Sequence, residues 1–507
     1  MPSLKKLVGQ TAIYGLSSII GRFLNYLLVP LYTYKMAAES GGYGVVTNVY
    51  AYTALLLVLL TFGMETTFFY FANREDVDAK KAFSTAANSV GLLSLLFWIV
   101  CMVFGSPIAS AQGYGDHPEY LRMMATVVAL DAFQAILFAQ LRYQNKAVKF
   151  ASLKLLFIVL NIGLNLFVFL VAPSLKESAP SLMAWYQPAQ QVAYIFAVNL
   201  LCTGLITLGF IPEMKNLRFG IDWQLLKQML EYTWPLLFLG LVGILNQVAD
   251  KICYNFIVPG EEGKVQLGIY GACVKIAMII AMFTQAFRYA YEPFVFGGQK
   301  EKNSKESQAV VMNYFVIFTL LAFLIVVCYL DIFKFIISRD YWDGLRVVPI
   351  VMMAEIFMGI YFNLSFWYKL NGETWWGVIF STAGCFVLIM INLLFVPKFG
   401  YMACAWGGFA GYGVCMVLSY WVGRKNNPVP YQLKVIVGYF ILAGVLYFLS
   451  WLISRMMVLG YLPANIWLKL GLNTVLVSVY LAVLLYSERL MVRRAVTAVK
   501  QKILHKK

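Results

Sequence analysis

Runs of apolar residues about 20 long, enough helix to cross the hydrocarbon core of a bilayer, recur along the whole chain. They lie at approximately 8–33, 43–71, 82–110, 119–141, 153–173, 187–211, 231–258, 266–295, 308–330, 344–370, 375–396, 401–422, 433–457 and 466–487. Inside them the polar residues keep helical spacing. Thr11, Gly15, Ser18, Arg22 and Asn25 form one stripe in the first run, and Lys154, Asn161 and Asn165 one in the fifth. In the seventh, Asn246, Asp250 and Tyr254 line up with Gln247 and Lys251 beside them. The eighth has the longest stripe: Lys275, Met282, Gln285, Arg288, Tyr289 and Glu292. The pattern predicts an all-α polytopic membrane protein of about 14 transmembrane helices whose polar stripes face an interior.

Composition excludes a soluble protein: of 507 residues 61% are hydrophobic and only 13% charged, with mean hydropathy +0.73. The longest polar stretches, near 212–230 and at the C-terminus, are too small for a soluble catalytic domain. No Gly-x-x-x-x-Gly-Lys-Ser/Thr loop occurs, so any transport would draw on a gradient rather than on a built-in ATPase. All eight cysteines sit in apolar runs without Cys-x-x-Cys spacing, and neither disulfide, metal site nor cofactor is expected.

The loops give a topology. One alternate set holds Lys5 and Lys6, Arg74, Lys80 and Lys81, Arg142, Lys146 and Lys149, Lys215 and Arg218, Lys300 to Lys305, Lys369, Arg424 and Lys425, and the basic tail 489–507. The other set holds singletons such as Lys35, Lys176, Lys264 and Lys398. Cationic loops stay in the cytoplasm, so both termini are read as cytoplasmic and the first run as a retained helix. The net charge of +16 then reflects topology and anionic lipid, not nucleic acid.

A duplication is also visible. Leu121-Arg122 followed by Asp131 matches Leu345-Arg346 followed by Glu355; Tyr43-Gly44 and Glu65 match Tyr270-Gly271 and Glu292; Asn165 matches Asn392. Six helices per repeat is an even number, so the halves would be parallel and related by a pseudo-twofold axis along the membrane normal. The expected divisions are 1–212 and 213–430 for the two six-helix bundles, 431–488 for an extra helix pair and 489–507 for the tail.

Nine ionisable residues lie well inside the runs: Arg22, Glu65, Asp131, Asp250, Lys251, Lys275, Arg288, Glu292 and Glu355. Each costs about 2.5–3.5 kcal/mol at helix centre, and together they would cost on the order of 10–20 kcal/mol facing lipid, even with half of them near the interface. That rivals a domain's whole stability of about 5–15 kcal/mol, so they must face the interior. The cations Arg22, Lys251, Lys275 and Arg288 suit an anionic phosphate or pyrophosphate headgroup. Lys251 beside Asp250 and Arg288 one turn from Glu292 equally suit internal ion pairs. The acids Glu65, Asp131, Asp250, Glu292 and Glu355 are candidates for ion coupling or for pairing with those cations. Ser18, Asn25, Asn246 and Gln285 would add polar cavity wall.

The chain resembles a known family through Gly21-Arg22, Val29-Pro30-Leu31-Tyr32, Gly63-Met64-Glu65-Thr66, Trp234-Pro235-Leu236, Ala249-Asp250-Lys251, Leu267-Gly268-Ile269-Tyr270 and Tyr291-Glu292-Pro293-Phe294. It is similar to the Wzx-type lipid-linked oligosaccharide flippases, the polysaccharide transporter branch of the multidrug, oligosaccharidyl-lipid and polysaccharide exporter superfamily. The resemblance implies two six-helix bundles around a cavity that opens alternately to either side of a bacterial inner membrane. Arg22 and the charges of the seventh and eighth helices would face that cavity, and the cargo would be a polyprenyl-pyrophosphate-linked oligosaccharide. A monomer is expected, with a glycan polymerase and assembly proteins as partners. Related lipid II flippases and some drug exporters place a sodium site on helices seven, eleven and twelve; here the eleventh and twelfth runs contain no Asp or Glu. Two other readings compete. A multidrug cation antiporter of the same superfamily usually stops at twelve helices, and a glycan polymerase or glycosyltransferase would need a large external loop.

Overall fold

The computed structural model describes residues 26–218, 220–297, 304–463 and 465–487, and among these no strand occurs. Most of the first predicted run, with Ser18, Arg22 and Asn25, lies outside the described residues, as does the tail. The principal helices are Leu28–Lys35 (α1), Gly42–Thr61 (α2), Met64–Ala72 (α3), Ala79–Val103 (α4), Pro118–Tyr143 (α5), Ala147–Leu166 (α6), Gln191–Leu208 (α7), Trp223–Ile257 (α8), Glu261–Gly297 (α9), Ser304–Cys328 (α10), Val348–Leu364 (α11), Trp375–Phe399 (α12), Tyr401–Asn426 (α13), Leu433–Val458 (α14) and Ile466–Ser487 (α15). They provide 13 candidate membrane spans, one for each predicted run after the first.

Helix is the only open-ended solution here, because a backbone in hydrocarbon must satisfy its own hydrogen bonds. The outward faces agree. Val437, Ile441, Val445 and Phe448 on α14, spaced at turns of one helix face, are 51% to 61% exposed. In water that stripe would drive aggregation; against acyl chains it is the stable arrangement.

Contacts divide the chain into two compact units, Met1–Phe296 with Ile336–Asn426, and Gly297–Phe335 with Asn427–Lys507. The second unit therefore groups α10 with α14 and α15. It is tied by polar bonds inside an apolar bundle: Asn473, fully buried, donates to the Cys328 carbonyl at 2.6 Å and accepts from Ser450 at 2.9 Å. Tyr480 donates to the Ile317 carbonyl at 2.9 Å.

In the first unit the run predicted as one helix over 43–71 is broken. Phe62 and Gly63 both have positive φ, 54° and 68°, which ends α2 and restarts the chain as α3. Gly63 adopts this freely, whereas Phe62 is strained there. The carbonyl freed by the break accepts a 2.6 Å bond from Thr233 on α8, two residues before Pro235, itself inside that helix. Replacing the fully buried Thr233 by Val leaves that carbonyl without its donor, at a cost of about 1–3 kcal/mol. The expected result is a lower melting temperature in detergent; an unchanged one would show that another donor serves the carbonyl.

Candidate functional site: a central cavity with one charged wall

The first unit encloses a cavity of about 620 Å³. Along α9 its lining runs from Tyr270 to Arg288, about 27 Å at the helical rise of 1.5 Å per residue. The walls differ in kind. Among the described residues every charged lining residue comes from the second half: Asp250 and Lys251 on α8, Lys275 and Arg288 on α9, and Glu355 on α11. From the first half, the described polar lining residues are Tyr32, Tyr43, Thr47, Tyr50, Asn161 and Asn199, all neutral.

On the charged wall Asp250 is held from two sides. Lys251 Nζ lies 2.9 Å from its Oδ1, and the Tyr270 hydroxyl donates to its Oδ2 at 2.7 Å. Arg288 lies 3.7 Å from Glu292, with its guanidinium 4.0 Å over the ring of Phe362. Lys275 is different: among the described residues neither an ion pair nor a hydrogen bond holds it, and the charge acting on it is the like charge of Lys251. Glu355 has a buried Oε2 that makes no hydrogen bond among the described residues and feels Lys251 and Asp250. Neutral support comes from Asn246, which donates to the Ser381 carbonyl at 2.9 Å, and from Gln285, which also lines the cavity.

At one end the halves meet at backbone distance. A Cβ on Gly44 would lie 1.8 Å from the Lys264 carbonyl oxygen, and one on Gly271 would lie 2.4 Å from Thr47 Oγ1. Only glycine permits this crossing of α2 and α9. Buried Asn48 ties α2 to α8 as well, donating to the Lys251 carbonyl and accepting from Tyr114, both at 2.8 Å. At the other end, Tyr70 of α3 stacks on Tyr232 of α8 with ring centres 4.3 Å apart.

The profile of the family described as polysaccharide biosynthesis protein matches residues 7–290. The chain belongs to that family. Among solved structures, "Lipid II flippase MurJ, inward closed conformation" is similar with a TM-score of 0.69 and 14% identity, over 93% of this chain and 98% of that one. An inward-facing multidrug resistance MATE family transporter of the MOP superfamily gives 0.58 and 15%, over 79% and 93%. The MATE multidrug transporter DinF-BH gives 0.58 and 15%, over 84% and 97%. At such identities the likeness is one of fold. No curated protein matches in sequence at a significant level.

This polysaccharide biosynthesis protein is thus a multi-pass membrane protein with the fold of these solved structures. Its structure brings together Asp250, Lys251, Lys275, Arg288, Glu355, Asn246 and Gln285, and leaves three of the expected acids off the cavity wall. Glu292 lies beside Arg288. Glu65 is bound to Arg142 at 2.7 Å, a partner that reads in the sequence as an ordinary loop cation. Asp131 lies within the first half, accepting from Thr203 at 3.4 Å and facing Lys154, whose ammonium sits 4.0 Å over Phe138. Asn199 and Tyr50 also line the cavity without being among the expected site residues; an Asn in the middle of the apolar sixth run is the available signal.

Proposed function

We propose that this chain is a flippase that carries a polyprenyl-pyrophosphate-linked oligosaccharide from the cytoplasmic to the outer leaflet of the bacterial inner membrane, for O-antigen, capsule or exopolysaccharide synthesis. The observation that carries this reading is the convergence of Lys251, Lys275 and Arg288 on one cavity, with Lys275 lacking a counter-ion among the described residues. A cation without a counter-ion in a low-dielectric wall is stabilised when an anion arrives, and guanidinium and ammonium groups are the usual partners of phosphate oxygens. Family membership supplies the polysaccharide context, and about 27 Å of lined helix accommodates a headgroup with sugars attached.

In this reading the six-helix halves 1–212 and 213–430 rock about the cavity, exposing it to the two leaflets in turn. The basic loops and both termini face the cytoplasm, and a glycan polymerase receives the cargo outside. Glu355 and Asp131, carboxylates inside the halves, couple the motion to an ion gradient. Asp131→Asn or Glu355→Gln then leaves the protein inserted and abundant while transport loses its gradient dependence; full gradient-driven activity in both variants would remove these acids from coupling.

The deciding experiment reconstitutes the protein in liposomes with a polyprenyl-pyrophosphate oligosaccharide and follows its change of leaflet. Protein-dependent movement is expected. No movement, with export of a cationic dye instead, would favour a multidrug antiporter.

A further inference from the structure

We propose that the neutral side chains of α2, α6 and α7 on the cavity wall form a carbohydrate subsite that reads the glycan of the cargo, separate from the cations of α8 and α9 that hold its phosphates. This rests on the flippase reading and adds to it the place where substrate choice is made.

The neutral side chains of this wall hold unused hydrogen-bonding capacity. Asn199 donates through Nδ2 to the Tyr50 hydroxyl at 2.8 Å, which among the described residues leaves the Asn199 carbonyl oxygen and the Tyr50 O–H unspent. Asn161 accepts from Asn165 at 3.2 Å through Oδ1, leaving its two amide hydrogens. The Tyr43 hydroxyl makes no hydrogen bond among the described residues, while its ring is fixed edge-on to Tyr341 with centres 5.9 Å apart. All four side chains line the cavity. Amides that offer a donor and an acceptor side by side match vicinal sugar hydroxyls, and phenol rings offer apolar faces to the C–H faces of a pyranose. None of this chemistry attracts an anion.

The placement fits a single bound molecule. With the pyrophosphate on α8 and α9, the sugars bonded to it extend into the same cavity, where the facing surface is α2, α6 and α7. A site built to hydrogen-bond hydroxyls also rejects a glycan that lacks them, since its own polar groups are then left unpaired. Selectivity among glycans therefore resides in the neutral side chains of α2, α6 and α7, and lipid-phosphate affinity among the described residues in the cations of α8 and α9.

The test measures binding of two lipids to the full-length protein in nanodiscs: undecaprenyl pyrophosphate without sugar, and the same lipid carrying a neutral oligosaccharide. Asn199→Ala with Tyr50→Phe removes both partners of one hydrogen bond, a change that leaves no buried group stranded. Tyr43→Phe, which strands nothing either, serves as a second variant, and each is required to elute from size exclusion like the wild type. The expected result is a loss of about tenfold or more for the glycan-bearing lipid with the bare lipid unchanged within about twofold. Lys275→Met should weaken both lipids alike. Equal loss of both lipids in the wall variants, or no loss of either, overturns the subsite. Failure of the wild type to bind the bare lipid overturns the flippase reading itself.

Discussion

Gly44→Val abolishes lipid translocation while the protein still inserts in the membrane: this is the largest effect expected of any single substitution here. The β-carbon would lie 1.8 Å from the Lys264 carbonyl oxygen and 3.0 Å from the Gly268 nitrogen. Both are backbone atoms, so no rotamer change relieves the clash, and α2 must move off α9. Overpacking of this kind costs about 1–3 kcal/mol or more, and each 1.4 kcal/mol is about a tenfold change in population. The conformation described here would therefore lose about a hundredfold in population at the upper end of that range, and the cycle would stall with that end open. A cysteine at Thr47 in a cysteine-free background reports it: labelling by a membrane-impermeant maleimide from that side should rise sharply in Gly44→Val. Gly163→Val is the control, because a β-carbon there meets nothing within 4 Å. Wild-type translocation and unaltered labelling in Gly44→Val would refute the crossing as a gate.

The second large effect separates two lysines of the same cavity wall. Lys275→Met is expected to raise the melting temperature, since it replaces a charge that no described protein group neutralises with a side chain suited to its surroundings. It should nevertheless cut translocation by on the order of 10- to 100-fold, the worth of a lost charge-assisted contact with phosphate. Lys251→Met should do the opposite to stability. Its ammonium pairs with Asp250, whose side chain is only 8% exposed, and removing one member of a buried pair costs about 3–5 kcal/mol. Thermal melts beside flipping assays distinguish the two, and a Lys275→Met protein that melts lower and transports normally would make Lys275 structural rather than a ligand for the cargo.

The sequence makes the spans legible because hydrocarbon imposes a length and a composition on anything that crosses it, and each run after the first corresponds to one candidate span. What it hides depends on long-range packing. Phe62 carries no mark of its positive φ, and only the adjacent Gly63 signals a possible break. The ionisable residues stand out by their rarity, which makes Asp250, Lys251, Lys275, Arg288 and Glu355 legible in the sequence alone. Asp131 shared that rarity and still faces away, because helical spacing gives a stripe but not which neighbour it meets. Asn199 and Tyr50 carry no such mark for the converse reason: neutral polar side chains are common in membrane helices, and only the shape of the cavity shows which of them face one another. The grouping of α10 with α14 and α15 is likewise a matter of contacts more than a hundred residues apart in sequence, such as Asn473 with Cys328.

The break at Phe62 and Gly63 makes the second span a jointed limb. The glycine crossing lies above the joint and the Tyr70–Tyr232 stack below it, each gripping a different partner or a different part of one. A rigid rod would lift both ends together and briefly leave the membrane open from side to side. If the chain is the flippase proposed above, a joint between them would let one clasp release while the other holds, keeping ions from leaking through as cargo is exchanged.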